Sequence, residues 1–89
     1  MSEKQLDVIK ALADATRLSI LQKVLVAGEV SCQDLSAHFA LAQPTMSHHI
    51  GKLIDADVLS VRKEGVAHFY SVNQSLLKTL GINSTKLLA

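Results

Sequence analysis

SCQDLSAHFALAQPTMSHHIGKLIDA, residues Ser31 to Ala56, reads as two short helices joined by a tight turn, and the second helix decides the fold. With Met46 as the reference on a helical wheel, Ile50 and Leu53 fall within the same narrow stripe, with Ile54 at its border. Ser47, His48, Gly51, Lys52 and Asp55 point the other way. A solvated helix face ordinarily carries long Glu and Lys pairs, whereas this one is small and polar. Short hydrogen-bonding side chains suit a helix that approaches another polar surface closely, and the DNA major groove is the obvious candidate. Standing alone, the same pattern also fits an ordinary amphipathic helix.

The flanks of this helix supply its context. Ser31 caps the helix before it, with Asp34 three residues on, a capping box carrying Asp in place of Glu; Leu35 and Phe39 are its inward residues. Ala40 to Gln43 form the turn, and Pro44 fits the first turn of the next helix, where a missing N–H is no loss. Ala42 occupies the place of the usual Ser or Thr cap, so that helix starts weakly. Upstream, Glu3 to Ala13 is helical in pattern, with Leu6, Ile9 and Ala13 on one side and Val8 and Leu12 beside them. So wide an apolar arc places a short helix deep in the core or against a second subunit. Asp14 can cap a helix over Ala15 to Ala27, burying Leu18, Leu21, Val24 and Leu25 with Ile20 close by, and Gly28 ends it. Downstream, Val58 to Lys63 and Val66 to Val72 are β-prone runs around Glu64-Gly65, a hairpin with Arg62 and Lys63 at its tip. Asn73 can cap a last helix, Gln74 to Leu80, whose apolar residues are Leu76, Leu77 and Leu80. Gly81 breaks it, and Ile82 to Ala89 fits either a helical extension or a frayed end.

Composition sets the bounds. The 89 residues are 48% apolar but only 3% aromatic, enough for one compact domain over 1–89 with an aliphatic core, which favours helices packed on helices. No apolar run approaches the ~20 residues of a membrane span, and MSEKQLDVIK is too charged for a signal peptide, so a soluble, cytoplasmic protein without membrane insertion is expected. One cysteine, Cys32, excludes an internal disulfide and a CxxC pair. A net charge of +1 gives nucleic-acid binding little general support, so the electrostatic case rests on where the charges sit. No paired carboxylates, Ser-His-Asp set or Gly-rich phosphate loop is present, and no enzyme is expected.

Helices, then a helix-turn-helix, then a basic hairpin is the winged helix-turn-helix order: mainly α with a β-hairpin, ααααββα. Three motifs then resemble one family. ALADATRLSIL, Ala11 to Leu21, looks like the ALADPTRLRIL of the ArsR/SmtB family of bacterial repressors, with Ala15 in place of Pro. LAQPTMSHHIGKLIDADVL, Leu41 to Leu59, is similar to that family's LSQSTVSHHLKVLREAGLV. Lys63-Glu64-Gly65 and Phe69-Tyr70 match its wing. The likeness runs from about Ile9 to Asn73, in the right order. It implies a homodimer, joined through the first and last helices, that represses transcription from a palindromic operator in double-stranded DNA. Two recognition helices would then sit roughly 34 Å apart, one DNA turn.

Carried over residue by residue, the base-reading positions implied are Gln43, Thr45, Ser47 and His48, chemically suited because Gln bonds adenine bidentately and Thr's methyl meets thymine's. Lys52, Arg62 and Lys63 would hold phosphates, and His49, near the core edge of the wheel, is given a structural role. The residue after the wing glycine, often Arg in the family, is Val66, which argues against deep engagement of the minor groove.

Many family members sense metals through a third-helix motif like ELCVCDL. The matching stretch is EVSCQDL, Glu29 to Leu35, with Ser31 and Gln33 at the ligand positions and Cys32 between them. One thiolate cannot close a soft-metal site. Gln74 to Leu80 carries no His, Asp or Glu for the family's other common site. No metal and no cofactor is therefore expected, and the chain resembles the metal-free, autorepressor-like members. Two alternatives differ in kind: a winged helix used for protein–protein contact, and a thiol-responsive repressor using Cys32. A contact module should carry acidic or apolar replacements on the Ser47, His48, Lys52 face, which this chain does not.

Overall fold

A computed structural model of the chain describes residues 2–82. The order is α1 (Glu3–Leu12), α2 (Ala15–Ala27), β1 (Val30–Ser31), α3 (Cys32–Phe39), α4 (Gln43–Asp55), β2 (Leu59–Glu64), β3 (Ala67–Val72) and α5 (Gln74–Thr79). The five helices fall where the sequence places them, and so does the hairpin apart from its tip. The part of the tail expected to extend or fray, residues 83–89, lies outside the described residues.

The ALADATR stretch explains how α1 turns into α2. Asp14 accepts from the Arg17 backbone N–H at 2.9 Å and caps α2. That bond, with the Arg17 charge, holds the Asp14 carboxyl below its ordinary value of 3.8. Arg17 in turn donates from Nε to the Ala11 carbonyl at 2.6 Å, satisfying an oxygen that the end of α1 leaves free. Two neighbouring helix ends are closed by one short motif.

Ile20, Leu21, Val24, Leu35, Met46, Leu53 and Val58 form the solvent-free centre, with Val8, Ile50, Leu59, Tyr70 and Leu77 around them. Leu18 and Leu25 are only half-buried. Of the two alternatives for α1, burial deep in the core does not hold: Val8 and Ala11 face inward, while Leu6 is 42% and Ile9 46% exposed. The apolar arc is wider than the stripe one helix can bury against a single body, and the remainder faces outward.

β1 is an addition that sequence reading did not foresee. It pairs antiparallel with β3 (Val30 with Tyr70, Ser31 with Phe69), giving a three-stranded sheet of order β1-β3-β2. Two residues are too few for a periodicity signal. The hairpin tip also differs from expectation. Glu64 pairs with Ala67, so the loop is Gly65-Val66, and Arg62 and Lys63 lie within β2 rather than at the tip. Gly65 has φ 59, as the first position of a tight two-residue hairpin of the II′ kind requires, and Val66 is fully exposed.

Asp57 anchors the far end of α4. Its φ of 61 turns the chain, with its N–H donating to Ile54 (2.8 Å) and the Val58 N–H to Leu53 (2.9 Å), a Schellman closure with Asp where Gly is usual. The Asp57 carboxylate pairs with Lys4 of α1, and its carbonyl accepts from Asn73 Nδ2 at 3.0 Å. Asn73 also caps α5 by accepting from the Leu76 N–H. One turn thereby fixes α1 and α5 against the end of α4.

Candidate nucleic-acid interface

The helix that would read DNA is seated by its apolar stripe. Met46 and Leu53 are fully buried and Ile50 nearly so, so the face opposite is held outward without freedom to roll. Gln43, Thr45, Ser47 and His48 are all exposed, as are Lys52 and Asp55. Four of the polar side chains anticipated from the sequence thus occupy the first two turns of α4. His49 is half-buried, with Nδ1 out of solvent and without a hydrogen-bond partner, and it stands near the Asp14 carboxylate. As anticipated, Ala42 at the N-cap supplies no side-chain bond, and Pro44 lies in the first turn. The first backbone N–H groups of α4 are therefore uncapped by any side chain of this turn and sit beside the polar face, where backbone donors suit phosphate oxygens.

The wing divides its cations between two sides of the sheet, because successive strand residues face opposite ways. Lys63 lies opposite His68 and Arg62 opposite Phe69. Lys63 has no ion pair among the described residues. Each nitrogen of Arg62 makes one bond: Nε and Nη2 donate to Glu29 (3.2 and 2.8 Å) and Nη1 to Glu64 (2.7 Å), with the guanidinium 4.7 Å from the centre of the Phe69 ring. The Arg62 bond holds the Glu29 carboxyl below its ordinary value of 4.5, and the two carboxylates raise the guanidinium above its own. Glu29 is 33 residues from Arg62, so no local pattern in the chain signals this cluster.

Sequence reasoning also assigned Lys10 no role. A cavity of about 450 Å³ between α1, α2 and α4 brings it to the same walls as Lys52 and Arg17, with Asp7 and Asp55 opposite in sign. Cys32 opens α3 half-buried. It lies beside Tyr70, whose phenol is pushed above its ordinary 10.0 by burial and then by the thiol. Among the described residues no three His, Cys, Asp or Glu side chains gather around a common point, and no helix is long and apolar enough to cross a membrane.

Known proteins share both sequence and geometry. Residues 12–62 match the helix-turn-helix domain family. The arsenical resistance operon repressor of Staphylococcus aureus is 42% identical over 78 residues, 86% of this chain and 74% of that protein. The solved structure of HlyU from Vibrio cholerae N16961 superposes with a TM-score of 0.78 at 28% identity, covering 91% of each chain. The homodimeric winged helix-turn-helix DNA-binding domain of Mb0332 from Mycobacterium bovis, described as a possible ArsR-family regulator, gives a TM-score of 0.78 at 22% identity. That match covers 89% of this chain and 73% of that one, and it bears on the fold alone. With the apolar stripe, polar outward face and three-stranded wing in place, this chain belongs to the ArsR family of winged helix-turn-helix, DNA-binding transcriptional repressors.

Proposed function

We propose that the protein acts as a homodimer on a palindromic operator, with α4 of each protomer in the major groove and no metal controlling release. One observation carries this reading: Gln43, Thr45, Ser47 and His48 are all exposed at the start of a helix whose opposite side is locked in the core. The N-terminal residues of a recognition helix are those that meet base edges. Lys52 and Lys63 hold phosphates beside them, and Arg62 does so by exchanging a carboxylate for a phosphate. The outward Leu6 and Ile9, with Leu76 and Leu80 partly buried, supply an apolar surface on α1 and α5 for a second copy.

A gel-shift titration of the protein on DNA from upstream of its own coding region, at several salt concentrations, tests this directly. A retarded complex that outcompetes random DNA by 10³-fold or more, in the usual range for specific binders, is expected. Equal affinity for both would refute it. The relative's arsenical role does not carry over in this reading, because Cys32 brings a single thiol where a soft-metal site needs three or four ligands. Stoichiometric zinc, cadmium or arsenite should leave the complex intact. Loss of the complex that a chelator reverses, and that Cys32→Ser abolishes, would show a metal sensor instead.

A further inference from the structure

Two carboxylates in this repressor are placed where a DNA-binding surface ordinarily avoids them. Glu29 precedes β1 and Glu64 closes β2, so they flank the outer side of the sheet from opposite ends of its strand order. Arg62 lies between, stretched over Phe69 of the central strand to reach Glu29 with two nitrogens while its third holds Glu64. The Arg62 side chain is 51% exposed, that of Glu29 41% and that of Glu64 69%. A single pair so exposed contributes little. A planar fork held bidentately, stacked on a ring and closed by a second carboxylate is far better organised than a lone pair. Lys23 and Asp34 line the neighbouring crevice with Glu29, and neither is ion-paired among the described residues.

Guanidinium binds carboxylate and phosphate by the same fork geometry, so a phosphate that takes the Nε–Nη2 edge of Arg62 must displace Glu29, and one that takes the Nη1 N–H bonded to Glu64 must displace that carboxylate. That exchange leaves the freed acid facing a polyanion. Random DNA offers no further contact to offset it, whereas operator DNA, engaged by α4, does. We propose that Glu29 and Glu64 are specificity-determining residues: together they form a latch that withholds Arg62 from the phosphates of random DNA and yields it on the operator. This rests on the DNA-binding reading above and adds to it a device for suppressing sequence-independent affinity, so that discrimination falls to Gln43, Thr45, Ser47 and His48.

The test measures the salt dependence of binding to operator and random duplexes for the wild type, Arg62→Gln, Glu29→Gln/Glu64→Gln, and the triple variant. One phosphate contact per protomer changes the slope of log K against log salt by about 0.9, hence about two units for a dimer. Arg62→Gln should flatten the operator slope by that amount and leave the random-DNA slope unchanged. Freeing Arg62 in the double variant should steepen the random-DNA slope by the same amount and reduce the operator-to-random ratio, and the triple variant should lose the gain. A gain that persists without Arg62 is general charge removal and overturns the latch, as does Arg62→Gln flattening both slopes alike. Failure of the wild type to bind any DNA would instead overturn the underlying reading. In the free protein the Arg62 Nε–H should exchange slowly with solvent, and fast in the double variant. Equal exchange in both would overturn the latch even if a variant were poorly folded on DNA.

Discussion

At the scale of single residues, the useful distinction is between side chains proposed to read bases and side chains proposed to hold phosphates. Gln43 and His48 are short-reach groups on a helix fixed by Met46, Ile50 and Leu53, so their donors and acceptors have defined positions. Lys63 is a flexible cation on a strand, able to meet the backbone but not to tell one base from another. Replacing Gln43 or His48 with Ala should weaken operator binding by roughly 1–3 kcal/mol and leave random DNA almost unchanged. Lys63→Ala should weaken both and flatten the salt slope by about one unit for each phosphate no longer held. Measured affinities in the reverse pattern would mean α4 is not the reading helix. A different residue, alongside Asp14, contributes to acid sensitivity. The Glu29 carboxyl, held down by Arg62 from its ordinary 4.5, stabilises the fold above that pH and loses its contribution as pH falls through the lowered native value. Urea unfolding of Glu29→Gln should therefore change less between neutral and strongly acid pH than that of the wild type; identical pH profiles would assign the acid limb to other groups.

At the scale of elements, capping and turn chemistry were legible because they are local. Ser31, Asp14 and Asn73 cap the helices anticipated for them, and Ala42 fails to cap α4 as its side chain requires. What stayed hidden depends on pairing across the fold. β1 exists only because β3 passes beside Val30 and Ser31, and Arg62 meets Glu29 from 33 residues away. The wing turn was misplaced by one residue, since Glu64-Gly65 reads as the turn locally while strand pairing closes the loop at Gly65-Val66. The candidate reading face was legible for the same reason as the caps: helical period alone separates it from the buried stripe. The uncapped start of α4 carries a prediction of its own. Ala42 already has extended backbone angles of φ −62 and ψ 148, so Ala42→Ser can accept from the helix without rearrangement. Denaturant unfolding should show a gain of about 0.5–1 kcal/mol. An unchanged midpoint would show that the free N–H groups at this end are already satisfied by solvent.

At the scale of the whole molecule, the leftover apolar surface determines what a second copy would cover. From the sequence, the leucines of α5 and the whole arc of α1 were equivalent candidates for such a surface, but the structure separates them. Leu77 is 1% exposed and belongs to the protomer's own core, while Leu6 and Ile9 are outward at 42% and 46%. A charge at Leu77 would report on folding, so it cannot serve as a probe of assembly. Leu6 can, since it lies outside the buried core of the single chain. The twofold interface of a homodimer presents the same patch from both sides, so one substitution places two carboxylates near each other in an apolar seam. Sedimentation velocity at micromolar concentration should show the wild type as a dimer and Leu6→Glu shifted towards monomer, with thermal unfolding of the protomer otherwise similar. Operator affinity should fall in the same variant, because each protomer alone engages only one half-site, while α4 and the wing remain intact. If Leu6→Glu stays dimeric, the pairing surface lies elsewhere than α1. If it becomes monomeric yet keeps full operator affinity, the two half-sites are not read by linked protomers, and the palindromic operator has no place in the mechanism.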